Sequence, residues 1–499
     1  MGCIETALVS VADRTGLVEF TRELKEFGVK VLATSGTAAF LAESEVKVGD
    51  VADLTGSNEL LGGLVKTLHP AIHAGILADR TNSSHMRELA GAGWIKIDMV
   101  VVNFYPIREV SDRDLSFVDI GGPAMARAAA KNFKSCVPVP SPGWYRRVIE
   151  SLRRSGDVDE HLRWELAVDT LRLTASYDAR ILEAVNGSRV AFPDRLVVTM
   201  GKAYDLRYGE NPHQTAAFYT TGGGLPFEVL KGELSYNNIL DVDCCLGQLS
   251  EFEKPAAVVV KHVSPCGVAQ AASGREALEA AYACDPLSAF GGVIGVNFRF
   301  DGACARFLAK KFVECIVAPD FEDDALVILR KKKRTRLIRY HNLDSKASVM
   351  RSAAGGLLIQ SPDDSLTSGQ LDFVCGDKPT DEMLEDLLFA WKVVKYVKSN
   401  AIVFASKGRT LGIGAGQPSR VDSTKIAIRK AEEGGHDLEG SVMASDGFFP
   451  FPDCIELAHK AGARAVIQPG GSIRDQEVID AAKSFGLTMA LARMRHFRH

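Results

Sequence analysis

The chain has 499 residues, about three times the length of a typical single domain, which predicts two or three domains. Its 59 lysines and arginines nearly balance 63 aspartates and glutamates, and a net charge of −4 provides no overall field to attract nucleic acid or an anionic membrane. Hydrophobic residues make up 46%, and no apolar run is long enough to span a bilayer. Since the amino terminus also lacks a secretory signal pattern, we expect a soluble, cytoplasmic protein.

The ten cysteines show no CxxC pair and no regular spacing. This distribution favours reduced, buried thiols over disulfides or a zinc site, so we expect no bound metal. The 45 glycines are more informative, because glycine clusters where the backbone turns tightly or approaches a ligand.

Strand and helix patterns alternate in the first part of the chain. Strand patterns cover residues 4–11, 29–33 and 99–104, and helical patterns cover residues 16–27, 38–42 and 152–185. This alternation predicts a mostly parallel sheet with helices on both faces. The loop-like segment NGSRVAFPDRL then places a domain boundary near residue 196.

The rest of the chain continues the α/β pattern. Strand-like runs cover residues 256–260, 292–296, 401–404 and 465–467, and helical runs cover residues 277–283, 382–394 and 454–461. A polar break at 360–370 divides this part into two lobes, and no short-period repeat is evident.

Hydroxyl-bearing residues follow the first two predicted strands. Ser10 lies at the end of the first strand and Arg14 just after it, and Thr-Ser-Gly-Thr at 34–37 follows the second strand, just before a helix. Free amides at a helix N-terminus bind phosphate, although these hydroxyls could instead only cap the helix. The GxxxxGK[ST] spacing of a Walker loop is absent.

Two further segments of the first domain contain candidate functional residues. In VKTLHP, Lys66 and Thr67 stand beside a turn, where they could bind an anion or simply be solvated. In DIGGPAMARAAAKN, Asp119 is a possible helix cap, and Lys131 is by default a charge that complements the helix dipole.

In the second domain an apolar strand runs directly into Lys261 and His262 and a Pro-Cys-Gly turn. Ligands bind at the carboxyl ends of strands in open α/β sheets. There a histidine can act as a general base, and a lysine can stabilise negative charge. The alternative is a partly buried structural pair. The polar loop RYGENPHQ could likewise be functional or merely solvated.

The remaining candidates are glycine-rich or basic. The segments DPLSAFGG and QPGGSI are glycine-rich, and GIGAGQ lacks the GxGxxG spacing of dinucleotide sites. The terminal MRHFRH is either a disordered tail or part of an anion site. The basic run at 330–334 follows acidic residues at 322–324, which favours a solvated surface over nucleic-acid binding.

The motifs occur in the order that a known family uses, and they cover essentially the whole chain. The segments that match are KTLHPAIHAGIL, NFYP, DIGG, AAAKN, RYGENPHQ, KHVSPCG, DPLSAFGG, GIGAGQPSR, FFPFPD, QPGGSIRD and MRHFRH. The sequence resembles the bifunctional purine-biosynthesis enzymes that couple AICAR transformylase to IMP cyclohydrolase.

The resemblance implies a methylglyoxal-synthase-like, Rossmann-like cyclohydrolase domain at 1–196, followed by a transformylase domain of two cytidine-deaminase-like lobes at 197–499. The second domain would transfer a formyl group from 10-formyltetrahydrofolate to AICAR, and the first would close formyl-AICAR to inosine monophosphate (IMP). Family members are homodimers whose transformylase sites lie at the subunit interface. No metal, nucleic-acid or membrane partner is implied.

Site residues follow from the matching motifs. For the cyclohydrolase, the implied catalytic residues are Lys131, Lys66, Tyr105 and Asp119. The implied nucleotide-binding residues are Ser10, Arg14, Thr34, Ser35, Gly36, Thr37 and Thr67.

For the transformylase, the resemblance implies that His262 takes a proton from the AICAR amine, while Lys261 stabilises the oxyanion or helps to protonate N10 of the folate. The implied AICAR-binding residues are Arg207, Tyr208, Gly291, Glu314, Asn400, Phe448 and Arg495. The implied folate-binding residues are Arg420, Val421, Asp453, Ser472 and Ile473.

One departure from the family pattern concerns the nucleotide site. Leu64 stands where the family usually has arginine, and Arg14 stands where lysine is usual. Losing a bidentate phosphate contact costs about 1.5–3 kcal/mol unless Arg14 offsets it. An alternative hypothesis is therefore a transformylase with a catalytically weakened N-terminal nucleotide-binding domain. A third hypothesis, RNA binding, depends only on residues 330–336.

Overall fold

A computed structural model gives the structure of the chain. It describes residues 4–57, 59–107, 114–186, 192–221, 224–343, 348–367 and 369–499. The chain forms two compact units, Met1–Thr199 and Met200–His499. Cys3, one of the ten cysteines, lies outside the described residues. The boundary near residue 196, as a division between two activities, stays a prediction.

The first unit is built on a parallel sheet. Its strands are β1 (Thr6–Ser10), β2 (Lys30–Ala33), β3 (Gly49–Asp50), β4 (Met99–Val102) and β5 (Val137–Val139). Its helices are α1 (Leu17–Glu26), α2 (Ser35–Glu43), α3 (Ala52–Thr55), α4 (Pro70–Leu77), α5 (Ser83–Gly91), α6 (Gly121–Lys131), α7 (Tyr145–Ser155) and α8 (Glu160–Asn186).

The strand order β3-β2-β1-β4-β5 confirms the predicted parallel sheet. Apolar side chains of β1 and β4 enter separate cores on the two faces, which explains why these strands are apolar throughout. The strand order reverses between β1 and β4, and a crevice forms at the carboxyl ends of strands at such a point. The predicted single helix at 152–185 is in fact α7 and α8, since Gly156 ends α7 in a left-handed conformation.

The second unit begins with strands β6 (Gly201–Leu206) and β7 (Ala216–Thr220), which form a two-stranded sheet. What we call the first lobe follows, with β8 (Phe227–Lys231), α9 (Tyr236–Leu249), β9 (Ala256–Lys261), β10 (Ser264–Gln270), α10 (Gly274–Cys284), α11 (Pro286–Ala289), β11 (Val293–Val296), α12 (Gly302–Leu308), β12 (Cys315–Ala318), α13 (Asp323–Arg330) and β13 (Arg336–Tyr340).

A separate hairpin of β14 (Val349–Ala353) and β15 (Gly356–Gln360) precedes the second lobe. The second lobe comprises β16 (Asp372–Cys375), α14 (Asp381–Val394), β17 (Ile402–Ser406), β18 (Arg409–Gly414), α15 (Arg420–Glu433), β19 (Val442–Ser445), α16 (Asp453–Lys460), β20 (Ala465–Gln468), α17 (Asp475–Ser484) and β21 (Thr488–Leu491). The predicted strands and helices of this half are confirmed.

The two lobes repeat one topology within a single twelve-stranded sheet. The first lobe has the order β8-β13-β12-β11-β9-β10, and the second has β16-β21-β20-β19-β17-β18. The lobes join where Ala269 of β10 pairs with Arg409 of β18. No short-period pattern reveals this repeat, because its unit is a whole lobe. Among the described helices, none is both long and apolar enough to cross a bilayer.

Candidate functional site

The carboxyl ends of β1 and β2 bring the predicted phosphate-binding residues together. The Thr34 hydroxyl oxygen lies 3.3 Å from the Ser10 hydroxyl and 3.4 Å from the Thr37 hydroxyl. The Arg14 guanidinium donates to the Gly36 carbonyl at 3.2 Å. Thr34 precedes α2 but makes no side-chain cap bond, so the explanation that its hydroxyl only caps the helix is wrong. Ser35 and Gly36 are the first two residues of α2, a position at which a helix provides the backbone amides with no acceptor and at which anions bind.

A carboxylate that the sequence analysis missed joins this loop to the VKTLHP segment. The Ser35 hydroxyl donates to Glu59, whose other carboxylate oxygen lies 3.1 Å from the Lys66 ammonium. The hydroxyl bond, together with Lys66, holds the pKa of Glu59 below its usual value despite partial burial. Only the fold reveals the connection, because Ser35 and Glu59 lie on different elements.

The N-terminus of α6 forms the next part of the site. A Cβ on Gly121 would lie 2.5 Å from the Thr67 hydroxyl, so Thr67 packs directly against the start of α6. Asp119 accepts the Gly122 amide at 2.9 Å, and burial raises the pKa of its carboxyl group. Tyr105, which follows β4, is 63% exposed.

The structure does not bring Lys131 to this group. Lys131 is the last residue of α6, about 15 Å along the helix axis from Gly121, and it is exposed. In a parallel α/β sheet a helix begins at the carboxyl edge of the strands and ends at the opposite edge. The catalytic role of Lys131 stays a prediction, and this geometry does not support it. Leu64 is 76% exposed in the loop before Lys66.

In the second unit, Lys261 and His262 lie at the end of β9 beside a cavity of about 250 Å³. The residues that line this cavity come from three of the sequence motifs, from the end of α10 and from α15, and they include Lys261, His262, Cys266, Asp285, Ser288, Gln417 and Lys430. The Lys261 ammonium donates to the Phe290 carbonyl at 2.7 Å. The fold therefore brings KHVSPCG, DPLS and GIGAGQ together around one space.

An ion pair that the sequence analysis missed lies in the wall of this cavity. The Lys430 ammonium is 3.0 Å from Asp285, which also accepts the Ser288 hydroxyl at 2.6 Å. Burial would raise the pKa of Asp285, but hydrogen bonds from Ser288 and Lys430 hold it below its usual value. Asp285 therefore stays ionised at neutral pH.

The predicted AICAR-binding residue Arg207 directly follows β6, and Glu314 lies in the first lobe; a chain of contacts links the two regions. The Arg207 guanidinium stacks on the Tyr208 ring at 4.7 Å and donates to its hydroxyl oxygen at 2.8 Å. Arg336 joins the two regions, since it pairs with Glu314 at 2.5 Å and donates to the Glu233 carbonyl. Glu233 and Arg207 line one cavity of about 430 Å³.

Gly291 adopts a φ of 72°, and its amide donates to the Phe312 carbonyl at 2.9 Å. This left-handed turn lies next to Phe290, the acceptor for Lys261, and close to Glu314, whose amide donates to the Gly292 carbonyl. Gly291 and Glu314 therefore border the region of Lys261.

A second group of predicted residues surrounds Arg420 in the second lobe. Its guanidinium donates to the Asn400 side chain at 2.7 Å and to the Ser445 hydroxyl at 2.8 Å, and it pairs with Asp446. The Asn400 amide donates to the carbonyl of Gln417, which lines the Lys261 cavity. Asn400 and Arg420 are therefore close to one another, and Asn400 is close to the cavity.

The terminal MRHFRH packs against this group, so the disordered-tail alternative is wrong. The His496 amide donates to the Asp446 carbonyl at 3.0 Å, and its imidazole is buried against Asp363 at 2.7 Å. A Cβ on Gly447, next to Phe448, would lie 2.6 Å from the Phe497 ring. Arg495 is exposed in this tail.

The predicted folate residues lie on several elements of the second lobe. Val421 follows Arg420 in α15, Asp453 begins α16, and the Ser472 amide donates to Asp475 at 3.0 Å. Ile473 next to Ser472 is fully exposed, as an apolar ligand surface would be before its ligand binds.

The basic run at 330–336 is partly structural. The Lys332 ammonium donates to the carbonyls of Leu308, Ala309 and Lys311, and so caps the end of α12. Arg336 is buried and paired with Glu314. The prediction of a solvated surface at 330–334 is wrong for Lys332, and neither Lys332 nor Arg336, which the RNA-binding hypothesis included, is available to bind RNA.

The fold and these sites define an α/β protein of two compact units, each with its own candidate active site: a hydroxyl-rich loop in the first unit and a lysine-histidine turn beside a cavity in the second. Two family models match the chain: the MGS-like domain over residues 16–121 and the AICARFT/IMPCHase bienzyme over residues 129–430. The chain belongs to the AICARFT/IMPCHase bienzyme family, and it is an enzyme with AICAR formyltransferase and IMP cyclohydrolase activities.

Curated relatives match over the full length. The bifunctional purine biosynthesis protein PurH of Persephonella marina is 47% identical over 99% of each chain, and that of Magnetococcus marinus is 47% identical over 100% of each. The PurH protein of Ruminiclostridium cellulolyticum is 43% identical over 99% of this chain and 100% of its own. A solved structure titled "Crystal structure of ForH" is 36% identical over 36% of this chain and 98% of its own, with a TM-score of 0.34.

Proposed function

We propose that the chain transfers the formyl group of 10-formyltetrahydrofolate to the 5-amino group of AICAR and then closes formyl-AICAR to IMP with loss of water. The observation that carries this proposal is the meeting of Lys261 and His262 with the glycine-rich 412–417 segment around one cavity, in a chain of this family. The enzyme would act in the cytoplasm.

His262 and Lys261 divide the work of formyl transfer. The imidazole takes a proton as the AICAR amine attacks the formyl carbon, because that amine is a weak nucleophile. Lys261 uses one of its three N–H donors on Phe290, which leaves two for the oxyanion of the tetrahedral intermediate. The bond from the formyl carbon to N10 of the folate then breaks, and N10 takes up a proton.

In the first unit, ring closure needs an anchored phosphate and a proton relay. The hydroxyls of Ser10 and Thr34 and the first amides of α2 bind the nucleotide phosphate. Lys66 polarises the formyl oxygen while the carboxamide nitrogen attacks the formyl carbon. Burial of Asp119, which raises its pKa, suits a carboxyl group that passes a proton from this nitrogen to the departing hydroxyl, so that water leaves.

The transformylase proposal is tested with His262→Ala. We expect formyl transfer to fall by about 10²–10⁴-fold, the usual contribution of a general base, in an assay that follows formyl-AICAR from AICAR and 10-formyltetrahydrofolate. Lys407→Ala, at the corresponding turn of the second lobe, is the matched control and should keep full activity. Unchanged turnover in His262→Ala would contradict this role.

The cyclohydrolase proposal is tested by supplying formyl-AICAR without folate. The wild-type chain should produce IMP well above the spontaneous rate. Failure to do so would favour the alternative of a weakened N-terminal domain, which is motivated by Leu64 but is not favoured by the full-length match to relatives named as bifunctional.

We also propose a homodimer with the transformylase sites at its interface. Leu287 and Phe290 support this, because both are large apolar side chains exposed beside the Lys261 cavity. Light scattering should report twice the mass of one chain. A monomer that is fully active in formyl transfer would contradict the shared site.

A further inference from the structure

The repeat gives each lobe the same hairpin in the same place. A two-residue turn joins β9 to β10 in the first lobe, at His262 and Val263, and β17 to β18 in the second, at Lys407 and Gly408. All four residues have positive φ, at 56°, 62°, 52° and 67° respectively. The second turn uses glycine at one position, but the first places two side-chain-bearing residues, one of them β-branched, in a conformation that such residues rarely adopt.

Each turn is held by an aspartate on the preceding helix. In the first lobe, Asp241 on α9 accepts the Val263 amide at 2.7 Å. In the second lobe, Asp386 on α14 accepts the Gly408 amide at 3.1 Å. Burial raises the pKa of Asp241, while the Val263 amide and nearby His262 oppose this rise. Asp386 is buried and Asp241 is half-buried, so the fold places an aspartate shielded from solvent at the same point in both lobes.

The two turns differ in what they carry. The first presents His262 to the cavity that also contains Lys261, whereas the second presents Lys407 beside a separate cavity of about 900 Å³. The aspartate contact is thus part of the hairpin's architecture in both lobes, but only in the first lobe does it determine where a reacting imidazole lies.

We propose that Asp241 is a positioning residue for formyl transfer, which holds Val263 and therefore His262 in the left-handed turn that presents the imidazole to the Lys261 cavity. This inference rests on the proposed transformylase function. Without the carboxylate, Val263 loses its acceptor and the turn relaxes towards negative φ. The His262 imidazole is then displaced from its position at the Lys261 cavity, and a displacement of about 1 Å can lower the rate about 10²-fold.

The test compares Asp241→Ala and Asp241→Asn with the matched pair Asp386→Ala and Asp386→Asn in the full chain. Asp241→Ala should lower kcat for formyl transfer by at least about 30-fold with little change in KM for AICAR, because the imidazole does not bind the ground state. Asp241→Asn retains an acceptor oxygen and should stay within about fivefold of wild type. Asp386→Ala should lower the melting temperature about as much as Asp241→Ala does, but its kcat for formyl transfer should stay within about twofold of wild type.

A rescue variant keeps the test decisive if Asp241→Ala is poorly folded. Adding Val263→Gly to Asp241→Ala should restore most of kcat, since glycine adopts the left-handed turn without an external acceptor. Equal loss of kcat in Asp241→Ala and Asp386→Ala, an Asn variant as impaired as the Ala variant, or absence of rescue would each overturn the proposal. If wild-type protein transfers no formyl group, the proposed function fails. If wild type is active and Asp241→Ala is too, only this inference fails.

Discussion

At the scale of single residues, the loop at 34–37, which we propose binds the nucleotide phosphate, has the guanidinium of Arg14 close to it. The Arg14 guanidinium donates a hydrogen bond to the Gly36 carbonyl and stacks on the Phe40 ring at 4.9 Å. Leu64, where the family resemblance implies an arginine, is exposed, so space exists for a longer, charged side chain.

An arginine at position 64 should strengthen nucleotide binding. We expect Leu64→Arg to lower the Kd for IMP by about 10-fold, which corresponds to one charge-assisted contact of about 1.5 kcal/mol. Calorimetric titration at low salt measures the change. Leu61→Arg, at an equally exposed position of the same loop, controls for a general gain of positive charge. An equal gain in both variants would argue against a specific phosphate contact.

Buried thiols provide a residue-scale prediction about pH. Burial raises the pKa of Cys136 and of Cys284 to about 12. Because the thiolate is the nucleophile, both should resist iodoacetamide at pH 8 in the folded protein and react after unfolding. The unfolded thiols lose protons first as pH rises above about 9, so stability should fall between about pH 9 and 12. Mass spectrometry and alkaline melting curves check these expectations; equal labelling before and after unfolding would contradict them.

At the scale of elements, the repeated hairpins depend on glycine at an equivalent position. A Cβ on Gly267 would lie 2.0 Å from the Ala281 carbonyl oxygen, and one on Gly412 would lie 2.1 Å from that of Ala427. These glycines let α10 and α15 press their backbones against the sheet, next to the bulges in β10 and β18.

A side chain at Gly412 should push α15 away from the sheet. We expect Gly412→Ala to lower the free energy of unfolding by about 3 kcal/mol, because a backbone carbonyl cannot move aside as a flexible side chain can. Gly224→Ala, where a Cβ would meet open space, should change it by less than about 0.5 kcal/mol. Denaturant titration of both variants tests the difference, and similar midpoints would show that α15 can shift without cost.

At the scale of the whole molecule, each compact unit contains its own candidate site. Lys66 lies in the first unit and His262 in the second, and each site is assembled from contacts inside its own unit. The near-neutral net charge is compatible with two anion-binding sites, because their lysines and arginines are balanced locally by residues such as Glu59 and Asp285.

The two activities should therefore be separable by mutation. Lys66→Met should abolish most cyclisation and leave formyl transfer intact, whereas His262→Ala should do the reverse. An equimolar mixture of the two variants should convert AICAR to IMP, since formyl-AICAR can diffuse between chains. Loss of both activities in either single variant would show that the units depend on each other.

Much of the fold could be predicted from the sequence because buried strands and amphipathic helices impose local patterns. The apolar run at 256–260 predicts a strand covered on both faces, and β9 is such a strand. Lys261 and His262 could be placed at the carboxyl end of this strand because they directly follow the apolar run in the sequence. The candidate site was found less completely: Glu59, Asp241 and Asp285 were missed, since their roles depend on contacts between residues far apart in the chain.

The sequence by itself determined the α/β class, many of the longer strands and helices and the family resemblance, because these depend on periodicity and on contiguous motifs. The tertiary structure decided which motifs meet. It separated Lys131 from Asp119 by the length of α6, ordered the terminal MRHFRH against Asp446, and revealed the repeat that pairs Asp241 with Asp386. The physical reason is that hydrogen bonds and ion pairs between distant segments leave no periodic trace along the chain.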